Sequence, residues 1–267
     1  MSCVNYIDIE DLKDEEIRKI RQEVFKTRGD LLFANAIILC EGETEEQVLP
    51  TFFKEYFGCE FFELGINIIS VNGFGKYKPF LQVAKDLKIH FYILSDGEER
   101  TINALTKEIR KIFGTTKSIK EYKNIKFLPN QCDFESYLLD QGYDIEINIA
   151  LEKLFGKDYL NSYIKKNDGT SGKSKKTNEK CPTCHQNIFK GKIRDYKGDD
   201  GVRMALLDCI HDNKTAYSSI IGEIIVEQRK DSKNKIPQII EELFKEINNR
   251  FKFKSEKKEG QEYVSIN

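Results

Sequence analysis

Four short runs rich in apolar residues alternate with helix-like segments between residues 36 and 128, and this alternation constrains the fold more than any other feature. The runs are Ala36–Cys40, Ile66–Val71, Ile89–Leu94 and Asn124–Leu128. Each has the length of a strand, and their apolar character is typical of strands that helices cover on both sides. Strands separated by helices indicate βαβ units and a mostly parallel sheet. We therefore expect an α/β fold.

The segments around these runs have helical spacing of apolar residues and recognisable ends. A helix is predicted from near Thr44, with Pro50 bending it or limiting its first turns and Gly58 ending it. Further helices are predicted at 77–87, 102–113, 201–227 and 236–251, and an amphipathic helix at 8–29. These elements predict four parts: an N-terminal helix (1–30), an α/β core (31–145), a basic insertion (146–200) and a helical C-terminal part (201–267).

The basic insertion has an unusual composition. Residues 161–200 contain ten Lys or Arg against five Asp or Glu and few large apolar residues, which predicts an exposed and partly disordered segment. It includes Cys181-Pro-Thr-Cys184, the spacing of half a zinc site. Zinc takes four ligands, and no second CxxC follows, so His185, Cys209, His211 or a second copy of the chain would supply the remaining ligands. Cys181 and Cys184 are thus candidate zinc ligands.

Composition and the termini indicate a cytoplasmic protein. The N-terminus is acidic and carries no apolar signal region, and no apolar run approaches the roughly 20 residues needed to span a bilayer. Seven cysteines, an odd number, favour reduced thiols over disulfides. The net charge of −1 neither favours nor excludes nucleic acid as a partner.

Acidic residues follow two of the predicted strands directly. Glu41 follows Ala36–Cys40, with Glu45 one helical turn further on, and Asp96 and Glu98 follow the strand that ends near Leu94. An acidic residue after a strand is usually only solvated, but the carboxyl ends of parallel strands meet at one edge of the sheet, where ligands bind. Carboxylates gathered there would repel one another unless cations neutralised them. Oxygen ligands suit Mg²⁺ or Mn²⁺, so a cation site is predicted.

Two stretches carry a resemblance to a known family. Residues 28–50 (RGDLLFANAIILCEGETEEQVLP) and 93–99 (ILSDGEE) resemble the TOPRIM domain of the OLD-family nucleases, most closely that of the nuclease subunit of the Gabija anti-phage system. The resemblance covers about residues 20–140, and 205–250 more loosely. It implies a TOPRIM-like sheet flanked by helices.

The resemblance also implies roles for individual residues. Glu41 would be a metal ligand or general base, and Glu45, Asp96 and Glu98 would hold two metal ions, although Glu98 departs from the family's Asp-x-Asp pattern. The motif NQCDFESYLL (130–139) resembles a later acidic motif of the family. It implies Glu135 as a further ligand, with Asp133 as the alternative. Lys214, in the stretch Asp-Asn-Lys-Thr before a predicted helix, would stabilise the charge of the phosphate transition state.

Several functions follow from these expectations. The leading hypothesis is a Mg²⁺- or Mn²⁺-dependent DNA endonuclease acting in anti-phage defence. It would be a homo-oligomer whose ATPase, normally part of OLD enzymes, comes from another domain or subunit in trans. Lys76 and Lys78 are candidate contacts to the DNA backbone, or ordinary solvated lysines. The alternatives are another TOPRIM chemistry (a primase-like transferase or an RNA-maturing nuclease) and a non-catalytic, dimerising remnant.

Overall fold

A parallel sheet of four strands organises the chain, as expected from the alternating pattern. The computed structural model describes residues 6–27, 29–73, 76–172, 175–180, 183–184, 186–191, 193–232, 234–258 and 261–265. The strands are β1 (Ala36–Cys40), β2 (Ile66–Ser70), β3 (His90–Ser95) and β4 (Ile125–Phe127), arranged in the order β2-β1-β3-β4. Every neighbouring pair is parallel. The α/β fold class is therefore confirmed.

Ten α-helices surround this sheet within the described residues. They are α1 (Asp14–Lys26), α2 (Glu43–Phe57), α3 (Lys78–Leu87), α4 (Glu99–Phe113), α5 (Phe134–Asp140), α6 (Asp144–Phe155), α7 (Tyr159–Asn167), α8 (Gly198–Asp212), α9 (Lys214–Gln228) and α10 (Gln238–Phe251). The described residues also include two antiparallel strand pairs: β5 (Lys175–Lys180) with β6 (Asn187–Lys190), and β7 (Lys254–Lys258) with β8 (Gln261–Ser265). The predicted end of α2 is confirmed: Gly58 adopts φ 75°, a left-handed conformation that glycine accepts without steric cost.

The two faces of the sheet bury separate apolar clusters. Because side chains alternate along a strand, Ile37 and Leu39 of β1 face the cluster that contains the buried residues of α3 and α4. Ile38 and Cys40 face the larger cluster, to which α2, α6, α9 and α10 contribute. The sheet is thus the middle of three layers, and its strands are apolar on both faces for that reason.

The segment predicted as a basic insertion contributes buried residues to the core. The boundary after residue 145 falls inside α6, whose Ile147 and Leu151 are fully buried in the larger cluster. Tyr163 and Tyr196, within the segment predicted as exposed, are also buried. The hydroxyls of both tyrosines donate hydrogen bonds to carboxylates of α8. The bond from Tyr163 to Asp212 is 2.6 Å long, so α7 packs against the body of the protein. A count of aliphatic residues misses such tyrosine anchors.

Among the helices of the described residues, we find none that combines the length and the apolar character needed to cross a bilayer.

Candidate metal centre

A cavity of about 340 Å³ lies at the carboxyl ends of β1 and β3. Six carboxylate residues and one lysine contribute to its lining: Glu41, Glu43, Glu45, Asp96, Asp133, Glu135 and Lys214. Ligands of open parallel sheets bind at this edge, and the structure brings the predicted acidic residues of two separate strands together there.

The register of β1 and β3 places Glu41 at the carboxyl edge of the sheet. Cys40 pairs with Leu94, so the next residues, Glu41 and Ser95, lie side by side. The Ser95 hydroxyl donates a hydrogen bond of 3.3 Å to Glu41 Oε2. Glu41 is buried, and this burial raises the pKa of its carboxyl above the usual value even though the Ser95 contact favours ionisation.

Glu45 enters the cavity from the first turn of α2 and is only 3% exposed. Its carboxylate lies directly against Gly42, where a Cβ atom would come within 2.6 Å of Oε2. Burial, followed by the charge of Glu135, raises the pKa of Glu45 to about 7. A Cβ atom at position 42 would displace the Glu45 carboxylate from this position, so the glycine after Glu41 leaves room for it.

Asp96 is the most strongly perturbed carboxyl of the cavity. Burial raises its pKa to about 8, and the charges of Glu45 and Glu41 add to this effect. Its Oδ1 is buried without a hydrogen-bond partner, and the same holds for Glu45 Oε2 and Glu135 Oε2. Buried polar atoms are normally paired, and carboxylates so close together cannot all ionise unaided. Hard divalent cations would satisfy both requirements, so these residues fit a metal centre.

Glu135 is paired with the lysine that sequence analysis singled out. It is fully buried in the first turn of α5, where its Oε1 accepts hydrogen bonds from Thr44 Oγ1 at 2.7 Å and Lys214 Nζ at 3.0 Å. Burial lowers the pKa of Lys214, but the charge and hydrogen bond of Glu135, together with the charges of Glu45 and Asp133, outweigh it and raise the pKa above its usual value. Lys214 therefore stays protonated inside the acidic site.

Asp133, which lines the cavity, pairs with His211, which contacts it without being one of the lining residues. Asp133 caps α5 by accepting a hydrogen bond of 2.9 Å from the Ser136 amide, and its Oδ2 lies 3.1 Å from His211 Nε2. Burial opposes ionisation of Asp133, yet these hydrogen bonds hold its pKa below the usual value, and the Asp133 contact raises the pKa of His211. Sequence reasoning considered His211 only for zinc. Its position three residues before Lys214 was the available signal.

Gly97 keeps the β3–α4 loop pressed against the segment that carries Asp133. A Cβ atom at Gly97 would lie 1.9 Å from the Leu128 carbonyl oxygen, which no side chain tolerates. The Gly97 amide also donates to the Cys132 carbonyl at 3.4 Å. This close approach brings Asp96 and Asp133 to the same cavity.

The remaining predicted residues lie at its margin or elsewhere. Glu98 occupies the N-cap position of α4 without a side-chain capping bond, pairs with Arg100 and does not line the cavity, so its role as a ligand stays a prediction. Lys76 is exposed near the cavity and donates to the Asn72 carbonyl at 3.2 Å. Lys78 is directed to α1, where its Nζ lies 2.8 Å from Glu16 and its side chain is 13% exposed, a poor position for binding phosphate.

Only one of the two predicted zinc ligands lies among the described residues. Cys184 is exposed with a free thiol. Cys181 and His185 lie outside the described residues. The assignment of this pair to zinc therefore stays a prediction.

Part of the chain matches the model of a known protein family. Residues 32–97 match the family described as "Overcoming lysogenization defect protein-like, TOPRIM domain". Among curated proteins, the chain is 28% identical over 132 residues to "Uncharacterized protein YbjD" of Escherichia coli (strain K12). That match takes in 49% of this chain and 23% of the relative, so the chain spans less than a quarter of the relative's length.

Solved structures share the fold over most of the chain. The C-terminal region of the OLD protein of Xanthomonas campestris pv. campestris matches with a TM-score of 0.56 at 17% identity, covering 83% of this chain and 96% of that one. The C-terminal region of the Burkholderia pseudomallei OLD protein matches with a TM-score of 0.52 at 16% identity, covering 81% and 98%. The expected resemblance to OLD TOPRIM domains is confirmed, whereas the narrower one to Gabija stays a prediction.

Proposed function

We propose that this chain, which carries an OLD-like TOPRIM domain in residues 32–97, is a divalent-metal-dependent endonuclease that hydrolyses the phosphodiester bonds of DNA. One observation carries the proposal: three buried carboxylate oxygens without partners, from Glu45, Asp96 and Glu135, belong to residues that line a single cavity together with a protonated lysine. Such a site attracts cations and, through them, a phosphate.

The donor set indicates which ions it would bind. Glu41, Glu45, Asp96 and Glu135 offer only oxygen, which suits Mg²⁺ or Mn²⁺. Asp133 extends the same lining. Divalent ions bound there would supply charge neutralisation and a more acidic attacking water.

The chain's own groups have distinct tasks in this proposal. Glu41, with a raised pKa and a Ser95 hydrogen bond that orients one oxygen, accepts the proton of the attacking water. Lys214 is anchored to Glu135, and its side chain is 39% exposed, so its ammonium group stabilises negative charge on a phosphate in the cavity. Lys76, exposed beside Gly73 at the rim, contacts the backbone of the DNA outside the reacting bond.

The wider biological setting is also part of the proposal. The family resemblance supports a role in anti-phage defence, as a homo-oligomer and with an ATPase supplied by another domain or subunit. A relative more than four times the length of the matched segment supports the idea that such domains operate together with further ones.

One set of cleavage reactions tests both the substrate and the dependence on metal ions and ATP. Supercoiled plasmid, linear duplex and a folded RNA are incubated with wild type, Glu41→Ala, Lys214→Ala and, as a control, Glu223→Ala, an exposed residue that does not line the cavity. Each reaction is run in Mg²⁺ or Mn²⁺ and with or without ATP. We expect wild type and Glu223→Ala to cut DNA at equal rates and the rates of the two cavity variants to fall at least a hundredfold. Cleavage of RNA alone would favour the RNA-maturing alternative, and equal cutting by all variants would refute this site.

A further inference from the structure

We infer that Asp133, Glu135 and His211 form a mixed nitrogen-and-oxygen cation site at one end of the acidic cavity, and that this site binds Mn²⁺ in preference to Mg²⁺. The inference rests on the proposed metal-dependent function and narrows it. His211 is a ligand that the acidic motifs of the sequence do not contain. With it, the two halves of the site differ in chemistry.

The geometry of the three side chains suits one shared ion. One donor atom from each residue lies within 4.8 Å of the other two. With bonds of about 2.1 Å, neighbouring ligands of an octahedral ion lie about 3 Å apart and opposite ligands about 4 Å apart. The 3.1 Å between His211 Nε2 and Asp133 Oδ2 matches the distance between neighbouring ligands, so the three side chains need to approach one another only slightly to hold an ion.

An independent observation is the unpartnered oxygen of Glu135. The residue is 0% exposed, and its Oε1 is already bonded to Thr44 and Lys214, whereas Oε2 is buried with no hydrogen-bond partner. A buried carboxylate oxygen is normally satisfied, because leaving it bare forfeits its hydration without replacement. A cation between Glu135 and Asp133 would be that missing partner.

Two of the three ligands are held in place before any ion arrives. The Ser136 amide fixes Asp133 as the cap of α5, and Thr44 and Lys214 fix Glu135 in the first turn of the same helix. His211 comes from the last turn of α8, and its side chain is 36% exposed, so an ion can reach it from solvent. Such positioning reduces the conformational entropy that the side chains lose when the ion binds.

An imidazole in the ligand set changes which metals are favoured. Mg²⁺ takes oxygen ligands almost exclusively, whereas first-row transition ions gain from a nitrogen ligand. The other half of the cavity, around Glu41 and Asp96, offers only oxygen among the described residues. To bind the ion through Nε2, His211 must carry its single proton on Nδ1, so Nε2 cannot at the same time donate a hydrogen bond to Asp133.

The chain's three histidines allow a matched test with Mn²⁺ alone. Pulsed electron paramagnetic resonance detects the ¹⁴N nucleus of an imidazole bound to Mn²⁺, and it is applied to wild type, His211→Gln, His90→Gln and His185→Gln. His90 contacts Arg250 and does not line the acidic cavity, and His185 belongs to the CxxC segment. We expect the ¹⁴N signal in wild type and both controls and its loss in His211→Gln. That variant should also bind Mn²⁺ at least tenfold more weakly and Mg²⁺ within twofold of wild type.

Other outcomes would overturn the inference. If His211→Gln, checked for an unchanged circular dichroism spectrum, keeps the ¹⁴N signal, or if wild type with bound Mn²⁺ never shows one, His211 is not a ligand. His211 would then only position Asp133, and the nuclease proposal would stand as long as wild type cleaves DNA. If wild type neither binds Mn²⁺ nor cleaves DNA in Mn²⁺ or Mg²⁺, the inference and the proposed function fail together.

Discussion

Replacing Glu45 with glutamine should stabilise the metal-free protein at pH 8. The pKa of this carboxyl rises from 4.5 to about 7 on folding, because the side chain is buried and faces Glu135. A difference of about 2.5 units (7 − 4.5) corresponds to roughly 3 kcal/mol of unfolding free energy, at about 1.4 kcal/mol per unit. Glutamine keeps the shape but stays neutral, and its amide must find partners, so a net gain of about 1–3 kcal/mol is expected.

The pH dependence has a definite sign. Since the folded-state pKa of Glu45 lies above the unfolded value, the folded protein binds more protons between pH 4.5 and about 7. Its contribution to stability is present below pH 4.5 and disappears as pH rises through 7. Wild type in EDTA should therefore lose stability relative to Glu45→Gln between pH 5 and pH 8. A divalent ion at a hundred times its dissociation constant should restore about 2.7 kcal/mol to wild type and less to the variant.

Urea unfolding at pH 5 and pH 8, in EDTA and in Mn²⁺, measures these differences. Glu43→Gln is the matched control, because Glu43 occupies the same first turn of α2 near the same helix end but is exposed, so its carboxylate is not desolvated by folding as that of Glu45 is. The reasoning is refuted if Glu45→Gln is no more stable than wild type at pH 8 in EDTA. It is also refuted if the gap between the two proteins does not widen from pH 5 to pH 8.

Two further substitutions test how the cavity is built. Lys214→Met leaves the fully buried Glu135 without its cation. We expect the unfolding free energy in EDTA to fall by about 2 kcal/mol, a value reduced because Lys214 is partly exposed to solvent. Unchanged stability would contradict the pairing. Gly97→Ala forces a Cβ to within 1.9 Å of the Leu128 carbonyl oxygen and should cost at least about 3 kcal/mol in thermal or urea unfolding. Gly114→Ala, at φ 61° but in open space, should cost about 1 kcal/mol, and equal losses at the two glycines would rule out the clash.

The sheet and the first acidic residues were predictable because their causes are local. Short apolar runs predicted β1 to β4, and carboxylates directly after strands predicted that Glu41 and Asp96 would meet. The contribution of Glu135 and Lys214 came from family resemblance, since α5 and α9 are far from β1 in the chain. The structure nonetheless places both at the cavity.

Contacts between distant segments explain what the sequence did not reveal. His211 and Asp133 are 78 residues apart, and no pattern in either segment indicates their contact. The burial of Tyr163 likewise depends on packing against α8, including a hydrogen bond to Asp212 across 49 residues. Composition describes a segment in isolation, so it could not show that 146–167 packs into the core.

The central claim is that the acidic cavity cleaves phosphodiester bonds only when it holds divalent ions. The most direct measurement is the rate of plasmid cleavage by wild type and Asp96→Asn, prepared in parallel, first in EDTA and then after Mn²⁺ or Mg²⁺ is added back. We predict no cleavage in EDTA, restored cleavage by wild type on adding the metal, and a rate at least a hundredfold lower for Asp96→Asn. Cleavage in EDTA, or equal rates for the two proteins in Mn²⁺, would contradict the claim.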